Sequence, residues 1–368
     1  MQIGLCQIAQ SFGYDKITDA QVYEEELNSG ILADELGYDL GYDLVSMVEH
    51  HFEDYALCPD NFVYLAHLAA KTRRIKLMTG AVIVPWNLQP LRVAEQVALL
   101  DLLSGGRMIL GLGRGLSRRE YAQMGVPMEE SRSRFDEAVP MILQALETGV
   151  MEAHDGPYFK QPRAMIRPRP TKTFKGRTAQ VAMSGDSVLE AAKHGVKMMQ
   201  FAYKPMEVHQ QEVRTYAKAY RVQHKEAPPV PFFVDFCLCD TDSGRAAELA
   251  SKHIRRYLLS LFHHYEMMGE HFTGMKGYEA YGETAKVMRE AGAEAIADAY
   301  VAGQVWGTPQ QILDKIQARR QLVGDYDAML CMRFAGAPYE LVERSLRTFA
   351  KHVMPELKSW NTATTMAA

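Results

Sequence analysis

The sequence predicts an α/β fold: a closed (β/α)8 barrel, or TIM barrel, of eight parallel strands surrounded by helices. Eight short apolar runs alternate with longer stretches of helical period along the 368 residues. Most of these runs are continuously apolar, which indicates strands that are covered on both faces. The predicted strands are Gln2–Ile8, Leu44–Val48, Ile75–Val82, Met108–Gly113, Gln180–Ser184, Lys197–Phe201, Phe232–Cys239 and Ala328–Phe334.

The clearest predicted helix follows the third strand. Between Pro90 and Leu103, the helical period puts Val93, Val97, Leu100 and Leu103 on one apolar stripe. A helix that buries such a stripe packs on the outside of the barrel.

The chain between the seventh and eighth strands is too long for a single crossover helix. From Ala246 to Tyr300 it contains a helical stretch, a segment rich in glycine and tyrosine, and a second helical stretch. Long loops after barrel strands lie over the active site, so residues 246–300 could form an active-site lid. An excursion packed outside the barrel is the alternative. In both cases residues 1–368 are predicted to form one domain with an insertion between strands 7 and 8.

Composition excludes several classes of partner. Lys and Arg number 41 and Asp and Glu 45, and a net charge of -4 argues against a surface for nucleic acid or anionic membrane. The five cysteines form no C-x-x-C motif, as is usual in a reducing cytosol. The first residues do not resemble a signal peptide, and no apolar run approaches the roughly 18 residues of a membrane span. We therefore expect a cytoplasmic location.

The sequence VEHHF at 48–52 closes the second predicted strand. Side chains alternate along a strand, so Glu49 and His51 should point one way and His50 the other. This alternation argues against adjacent histidines sharing a metal ion. It allows one imidazole to face the barrel mouth, where catalytic residues of such barrels lie, although a structural histidine is the alternative.

Two glycine-containing strand ends could approach a ligand closely. In the run at 75–85, Gly80 and Ala81 interrupt an apolar strand, which indicates a close backbone approach or only a kink. The sequence LGLGRGL at 110–116 combines three glycines with Arg114 directly after a strand. Exposed backbone N–H groups and a guanidinium together can hold a phosphate.

The sequence VAMSGDS at 181–187 leads directly into a predicted helix. Ser184, Gly185 and Ser187 should lie at its N-terminus, where free N–H groups and the helix dipole attract an anion. An ordinary cap, in which Asp186 or Ser187 satisfies the helix start, is the alternative. Together with Arg114, this loop could hold one phosphate between the fourth and fifth strands.

The histidines in the long insertion have no metal-ligand spacing. His263, His264 and His271 lie in a polar helical stretch, and we expect them to be surface or lid residues. No metal site is predicted.

In this order, the motifs resemble the bacterial luciferase-like flavin monooxygenase family, and most closely its alpha-chain branch. The resemblance spans essentially the whole chain. The matching stretches are VEHHF (48–52), TGAVIVP (79–85), PLRVAEQVALLDLLSGGRMILGLGRGL (90–116), the segment ending at Arg132, AMSGDSVLEAAKHG (182–195), GTPQQILDKI (307–316) and HVMPELK (352–358).

The resemblance implies a two-component monooxygenase. Reduced FMN, supplied as a cosubstrate by a separate NAD(P)H:flavin reductase, would bind at the C-terminal face of the barrel. Oxygen would add at flavin C4a, and the resulting peroxyflavin would oxidise a small, fairly apolar molecule by aldehyde or ketone oxidation or by hydroxylation. Such a site should exclude water, because water promotes the loss of hydrogen peroxide from the peroxyflavin. The resemblance also implies a homodimer.

The resemblance assigns roles to individual residues. His50 matches the catalytic histidine beside the flavin, where an imidazole can move a proton near neutral pH. Gly80 and Ala81 match the site of a non-proline cis peptide under the flavin ring. The phosphate would be held by Arg114, Leu116, Ser184, Gly185 and Ser187. The residues expected around the substrate are His51, Phe52, Trp86 and Phe201.

Two departures from the alpha chain are visible. A reactive cysteine near the flavin is Gly113 here, and a glutamate of the phosphate loop is Met183. Substrate-side residues also differ, so light emission does not follow from the resemblance. Three alternatives remain open: a deazaflavin-dependent dehydrogenase of the same superfamily, a non-catalytic flavin-binding partner subunit, and a metal-dependent hydrolase using Glu49, His50 and His51.

Overall fold

The computed structural model describes residues 1–13, 15–37, 41–275 and 278–366, and it contains a closed eight-stranded parallel barrel. Each strand pairs with the next along the chain. The eighth pairs with the first, and the fourth pairs with the fifth to complete the ring. The barrel strands are β1 (Ile3–Gln7), β2 (Leu44–Met47), β3 (Lys76–Thr79), β4 (Met108–Gly113), β5 (Thr178–Val181), β6 (Lys197–Phe201), β7 (Phe232–Cys239) and β8 (Asp327–Cys331).

Every predicted run overlaps a barrel strand, so the predicted fold class is confirmed. The first and second predicted strands end one residue too late, and the third, fifth and eighth run further past the observed ends, the eighth to Phe334 where the strand ends at Cys331. The third breaks after Thr79 and resumes as the short strand Val82–Ile83, because the chain turns at Gly80 and Ala81. The fifth ends at Val181, and Ser184 instead begins a helix.

Helices cover the outside of the barrel and connect its strands. They are α1 (Asp19–Glu35), α2 (Asn61–Lys71), α3 (Pro90–Leu103), α4 (Arg118–Gln123), α5 (Ser131–Thr148), α6 (Gly185–Lys193), α7 (Met206–His224), α8 (Ser243–His264), α9 (Glu279–Ala291), α10 (Ala293–Gly303), α11 (Pro309–Val323), α12 (Tyr339–His352) and α13 (Met354–Met366). Short hairpins, Val150–Met151 with Ala164–Met165 and His154–Asp155 with Lys160–Gln161, follow α5.

The predicted stripe on α3 is correct for three of its four members. Val93, Val97 and Leu100 are buried, but Leu103 is 64% exposed. Each residue turns an α-helix by about 100°, so position 104 continues the stripe and position 103 lies beside it. Ser104, which follows the helix, is buried.

The insertion between β7 and β8 consists of packed helices. Helices α8 and α10 pack on each other, and the short strand Val305–Gly307 adds to β7 after them. The side chains of Tyr257, Leu261 and Tyr278 are buried. Residues 276–277 of the glycine- and tyrosine-rich stretch lie outside the described residues. In the ranges the structure describes, no helix has both the length and the apolar character needed to cross a membrane.

Candidate active site

One cavity opens at the C-terminal ends of the strands, where strands β2 to β6 meet the insertion. The space between its lining atoms, with its open mouth, is about 1230 Å³. This is on the scale of sites for small molecules and cofactors. Its position at the C-terminal face matches that of active sites in barrels of this kind.

His50 lies just beyond β2 and reaches this cavity. Its side chain is only 15% exposed. The Nδ1 atom lies 3.0 Å from Glu120 Oε1, and the Nε2 atom lies 3.1 Å from the hydroxyl of Tyr265. Both ring nitrogens therefore have a partner of defined chemistry, which fixes the orientation of the ring and leaves it at the cavity wall.

Glu120, on α4, is the buried carboxylate behind His50. It accepts the backbone N–H of His51 at 2.7 Å as well as contacting the imidazole. Burial alone would raise the pKa of Glu120, but the charges and hydrogen bonds of His50 and His264 hold that pKa well below its usual range. The carboxylate therefore stays ionised beside His50 at neutral pH.

Tyrosine hydroxyls lie beside His50 on the insertion side of the cavity. The hydroxyl of Tyr257 lies 2.7 Å from that of Tyr55 and 3.1 Å from that of Tyr203. Burial raises the pKa of all three phenols, so none of them loses its proton near neutral pH. These hydroxyls therefore stay neutral and act as hydrogen-bond donors and acceptors.

Backbone forms another wall of the cavity. The peptide bond between Gly80 and Ala81 is cis, as the resemblance implied. Asn61, at the start of α2, donates its Nδ2 to the carbonyl of Ala81 at 3.1 Å. At Gly113, an added Cβ would lie 2.9 Å from Ile83 Cδ1 and 3.1 Å from Ala81 Cβ. A larger side chain here would have to displace the end of the Ile83 side chain, so glycine keeps this wall close to the backbone.

Two arginines also line the cavity. The guanidinium of Arg114 lies over the ring of Tyr278, 4.1 Å from its centroid, and the Tyr278 hydroxyl donates to the carbonyl of Gly115 at 2.9 Å. Arg132, at the start of α5, also lines the cavity. Its Nη2 atom is buried, and none of the described residues accepts a hydrogen bond from it. A buried guanidinium nitrogen in this state fits an anionic ligand group.

The start of α6 lies beside these arginines. Ser184 is the N-cap residue and forms a capping box with Ser187, which itself lines the cavity. The ordinary-cap alternative is therefore correct for the serine hydroxyls, with Ser184 and not Asp186 as the cap. The capping box leaves other first-turn N–H groups, such as that of the exposed Gly185, without intrahelical partners. The helix start can thus both be capped and face an anion.

The structure brings most of the predicted site residues to this one cavity. Its lining includes His50, Gly80, Ala81, Arg114, Leu116, Ser187, Trp86 and Phe201. Ser184 and Gly185 lie directly beside it, at the start of α6.

His51 and Phe52, which we expected around the substrate, lie outside the cavity. His51 is buried against Trp86, with its Nε2 atom 3.5 Å from Glu49, and it faces an outer crevice. Phe52 is 65% exposed because the chain turns there with φ of +68°. The predicted alternation holds for Glu49 and His51, but the strand ends at Met47, and the turn at Phe52 carries that side chain to the surface.

Several site residues were not predicted from the sequence. His264 was expected to be a surface or lid residue, yet it is buried and stacks on Tyr55 with ring centroids 4.4 Å apart. Glu120, Arg132 and Tyr265 were not assigned a role. Arg132 ended a stretch that carries the family resemblance, and that was the one available signal.

Comparison with known proteins gives the class of this chain. A family model described as luciferase-like monooxygenase matches residues 9–326, so the chain belongs to this family. It is 24% identical over 345 residues to the alkanal monooxygenase alpha chain of Photobacterium leiognathi, covering 92% of this chain and 94% of that protein. It is 23% identical over 361 residues to the oxygenase component of a flavin-dependent trigonelline monooxygenase of Acinetobacter baylyi, covering 93% and 91%.

Solved structures agree with this membership. Monooxygenase RslO1 of Streptomyces bottropensis superposes with a TM-score of 0.82 at 26% identity, covering 97% of this chain and 100% of that one. The oxygenating constituent of 3,6-diketocamphane monooxygenase from Pseudomonas putida, solved with FMN, gives 0.72 at 18% identity, covering 96% and 98%. An F420-dependent secondary alcohol dehydrogenase gives 0.70 at 16% identity, covering 95% and 97%. The family resemblance is confirmed, and the chain is an oxidoreductase of the flavin-dependent monooxygenase class.

Proposed function

We propose that this protein is the oxygenase component of a two-component FMN-dependent monooxygenase. It would take reduced FMN from an NAD(P)H:flavin reductase and use it with dioxygen to oxidise a small, fairly apolar aldehyde, ketone or other organic molecule. One observation carries the proposal: a single cavity is lined by two arginines, by Ser187 at a helix N-terminus and by His50. A relative named as an oxygenase component supports the separate reductase.

The cationic end of the cavity would hold the phosphate of the cofactor. Arg114 and Arg132 would supply charge-assisted hydrogen bonds, and the helix start at Ser184 to Ser187 would supply backbone N–H groups. Leu116, which follows β4, would shield the phosphate contact from water. The unpartnered Nη2 atom of Arg132 is the structural reason to expect an anion here.

The other end would hold the flavin ring and the substrate. Gly80, Ala81 and Gly113 would let the ring approach the backbone, and Trp86 and Phe201 would line apolar walls. When bound, reduced flavin supplies the electrons that activate dioxygen. His50 would hold or move a proton at Nε2, the nitrogen that contacts Tyr265 within the cavity.

The insertion would act as the lid of this site. Tyr257, Leu261, Tyr265, Met267 and Tyr281 all contribute to the cavity wall from residues 246–300. A mostly apolar cover limits the access of water, and a dry site protects an activated oxygen species from unproductive breakdown. Among the two alternatives left by the sequence, these contacts favour a lid.

The proposal is tested by oxygen consumption and cofactor binding. The purified protein should consume dioxygen with reduced FMN, without loss on addition of a chelator, and should bind reduced FMN in preference to a deazaflavin. Arg114→Ala should weaken FMN binding about 30-fold, or about 2 kcal/mol, since it removes a charge-assisted contact. Arg163→Ala, which breaks an exposed ion pair with Glu152, is the control. Unchanged affinity in Arg114→Ala would refute the phosphate site.

We also propose that the protein is a cytoplasmic homodimer that associates through α2 and α3. These helices pack on each other, and Val63, Leu99, Leu102 and Leu103 on them are between 45% and 67% exposed. Exposed apolar patches on soluble folds are typical of interfaces. In analytical ultracentrifugation, Leu102→Asp should give monomers and Val222→Asp, on α7, should not. A wild-type monomer would refute the proposal.

A further inference from the structure

Carboxylates and imidazoles alternate in a row that joins the outer surface to the cavity. The row contains Glu53, His264, Glu120 and His50, in that order. Glu53 lines the outer crevice beside Arg118 and Arg119, and its side chain is 24% exposed. His264 and Glu120 also border this crevice, although their side chains are only 1% exposed. His50 lines the inner cavity and the edge of a second outer groove. The chain positions of the four residues are far apart, so only the fold brings them together.

Three contacts join the four residues, of which two are within hydrogen-bonding distance and the middle one is longer. Glu53 Oε2 lies 2.8 Å from His264 Nδ1, and Glu120 Oε1 lies 3.0 Å from His50 Nδ1. Between these pairs, His264 Nε2 lies 3.7 Å from Glu120 Oε2. These last two atoms are buried, and neither has another hydrogen-bond partner among the described residues. Buried polar atoms are costly to leave unpaired, so a small shift or one water should join them.

The charged groups around the row keep its carboxylates ionised at neutral pH. Burial would raise the pKa of Glu53, but hydrogen bonds from Arg119 and His264 hold that pKa below its usual range. The phenol of Tyr55 stacks on His264, and Tyr265 contacts the far side of His50. Arg119 is bound to Glu53 Oε1 at 2.7 Å, so Oε2 remains for His264.

We infer that Glu53, His264 and Glu120 form a proton relay that connects solvent to His50 while the lid covers the cavity. This inference rests on the proposed function and deepens it. A proton taken up at His50 Nε2 would make the ring an imidazolium, which would release its Nδ1 proton to Glu120 Oε1. Rotation of the neutral carboxyl group would bring that proton to His264 Nε2, and His264 would release its own Nδ1 proton to Glu53 Oε2 and on to crevice water. One proton thus leaves the row for each proton that His50 accepts, the reverse passage resets the row when His50 gives a proton up, and there is no redox change.

A metal site is the rival use of the same atoms. Ligand atoms of His50, Glu120 and His264 lie within 4.8 Å of one another, which is close enough for one divalent ion. The contacts of His50 favour protons instead, because both of its ring nitrogens already have hydrogen-bond partners, Glu120 Oε1 and the hydroxyl of Tyr265, and neither is left for a metal ion.

The test uses His264→Gln, which keeps a polar group but cannot pass a proton between two atoms. His263→Gln, which changes the adjacent exposed histidine, is the matched control. With reduced FMN, we expect product formation by His264→Gln to fall about 10-fold or more. The residual rate should rise with the concentration of added imidazole buffer, as the control and the wild type should not. Glu53→Gln, at the exposed end, should show the same dependence and is the second variant if the first fails to fold.

A readout without cofactor completes the test. In the flavin-free protein with 15N-labelled histidine, the ring 15N chemical shifts of His50, which report which nitrogen carries the proton, should change in His264→Gln and stay unchanged in His263→Gln. Wild-type rates without buffer dependence in both relay variants, or unchanged His50 ring shifts, would overturn the relay. Activity lost on chelation and restored by Zn²⁺ would replace it with a metal site. A wild type that uses no oxygen with reduced FMN would refute the proposed function and leave the NMR test of the relay standing.

Discussion

Two pairs of largely buried histidines have different partners in this molecule. At the barrel mouth, His50 and His264 each face carboxylates, Glu120 and Glu53. Behind helices α6 and α7, His194 and His209 direct their Nδ1 atoms at the amide oxygens of glutamines, at 2.9 and 3.0 Å. The first region is an ionic network. In the second, here called the neutral region, the nearest partners are amides, and the carboxylates of Glu190 and Glu212 lie further away, at 3.8 and 3.7 Å.

The neutral region excludes the proton from its histidines. Burial lowers the pKa of His194 to about 4, although Glu190 acts in the opposite direction. Burial, together with Lys204 and Arg319, lowers the pKa of His209 to about 3. Glu212 lies 3.7 Å from His209, but it is bound by Lys204. The comparison teaches that a carboxylate partner, and not burial, distinguishes a histidine suited to proton transfer.

The largest expected effect separates the two regions by activity. His50→Ala should lower the rate of product formation about 10² to 10⁴-fold, since it removes the group that moves a proton, and should leave FMN affinity within about 2-fold. His209→Gln should keep the wild-type rate at pH 7.5. Single-turnover kinetics and fluorescence titration would measure both quantities. Wild-type turnover by His50→Ala would show that the carboxylate-bound histidine at the barrel mouth takes no part in the reaction.

The next effect separates the two regions by stability. The folded-state pKa values of His194 and His209 lie below the unfolded value near 6.5, so the unfolded chain binds more protons as the pH falls. The contribution of these two histidines to the free energy of unfolding should be fully present above pH 6.5 and should decline below it. Each histidine should cost about 2 kcal/mol between pH 7 and pH 5.

Urea unfolding at the two pH values would measure this loss. His209→Gln should reduce the loss by about 2 kcal/mol, and His263→Gln, at an exposed position, should not change it. An equal loss in the wild type and in His209→Gln would show that the amide-bonded region does not exclude protons.

The smallest effect concerns an imidazole with a carboxylate partner near the surface. His154 Nε2 lies 2.9 Å from Glu137 Oε1, and its side chain is 34% exposed. Solvent screens such a pair, so His154→Ala should cost less than about 1 kcal/mol in urea unfolding at pH 7. A cost above about 2 kcal/mol would mean that partner identity alone, without burial, sets the strength of these contacts.

The sequence predicted the strands best where burial decides their limits. Met108–Gly113, Lys197–Phe201 and Phe232–Cys239 have the predicted bounds, and nearly all of their residues are buried in the barrel wall. The predictions ran too far where a turn ends a strand before its apolar run does, as at Gly80 and after Val181. Strand register and closure could follow only from the fold class.

For the site, local motifs predicted residues that lie at strand ends. His50, Arg114 and Ser187 come from different strand ends and meet in one cavity. Glu120 and His264 could not be found this way, since they reach His50 from helices 70 and more residues away and carry no motif. Phe52 was misplaced because period-two alternation does not describe a residue with positive φ.

Gly113 leaves the cavity without sulfhydryl chemistry. No cysteine is among the residues that line it, and all five cysteines are buried, with pKa values that burial raises. Since the thiolate is the form that peroxide attacks, hydrogen peroxide escaping from turnover would find these sulfurs inert. The thioethers of Met183 and Met267 line the same space. Oxidative damage by peroxide from the protein's own reaction would therefore begin as methionine sulfoxide, which cellular reductases repair, and not as an irreversibly oxidised cysteine.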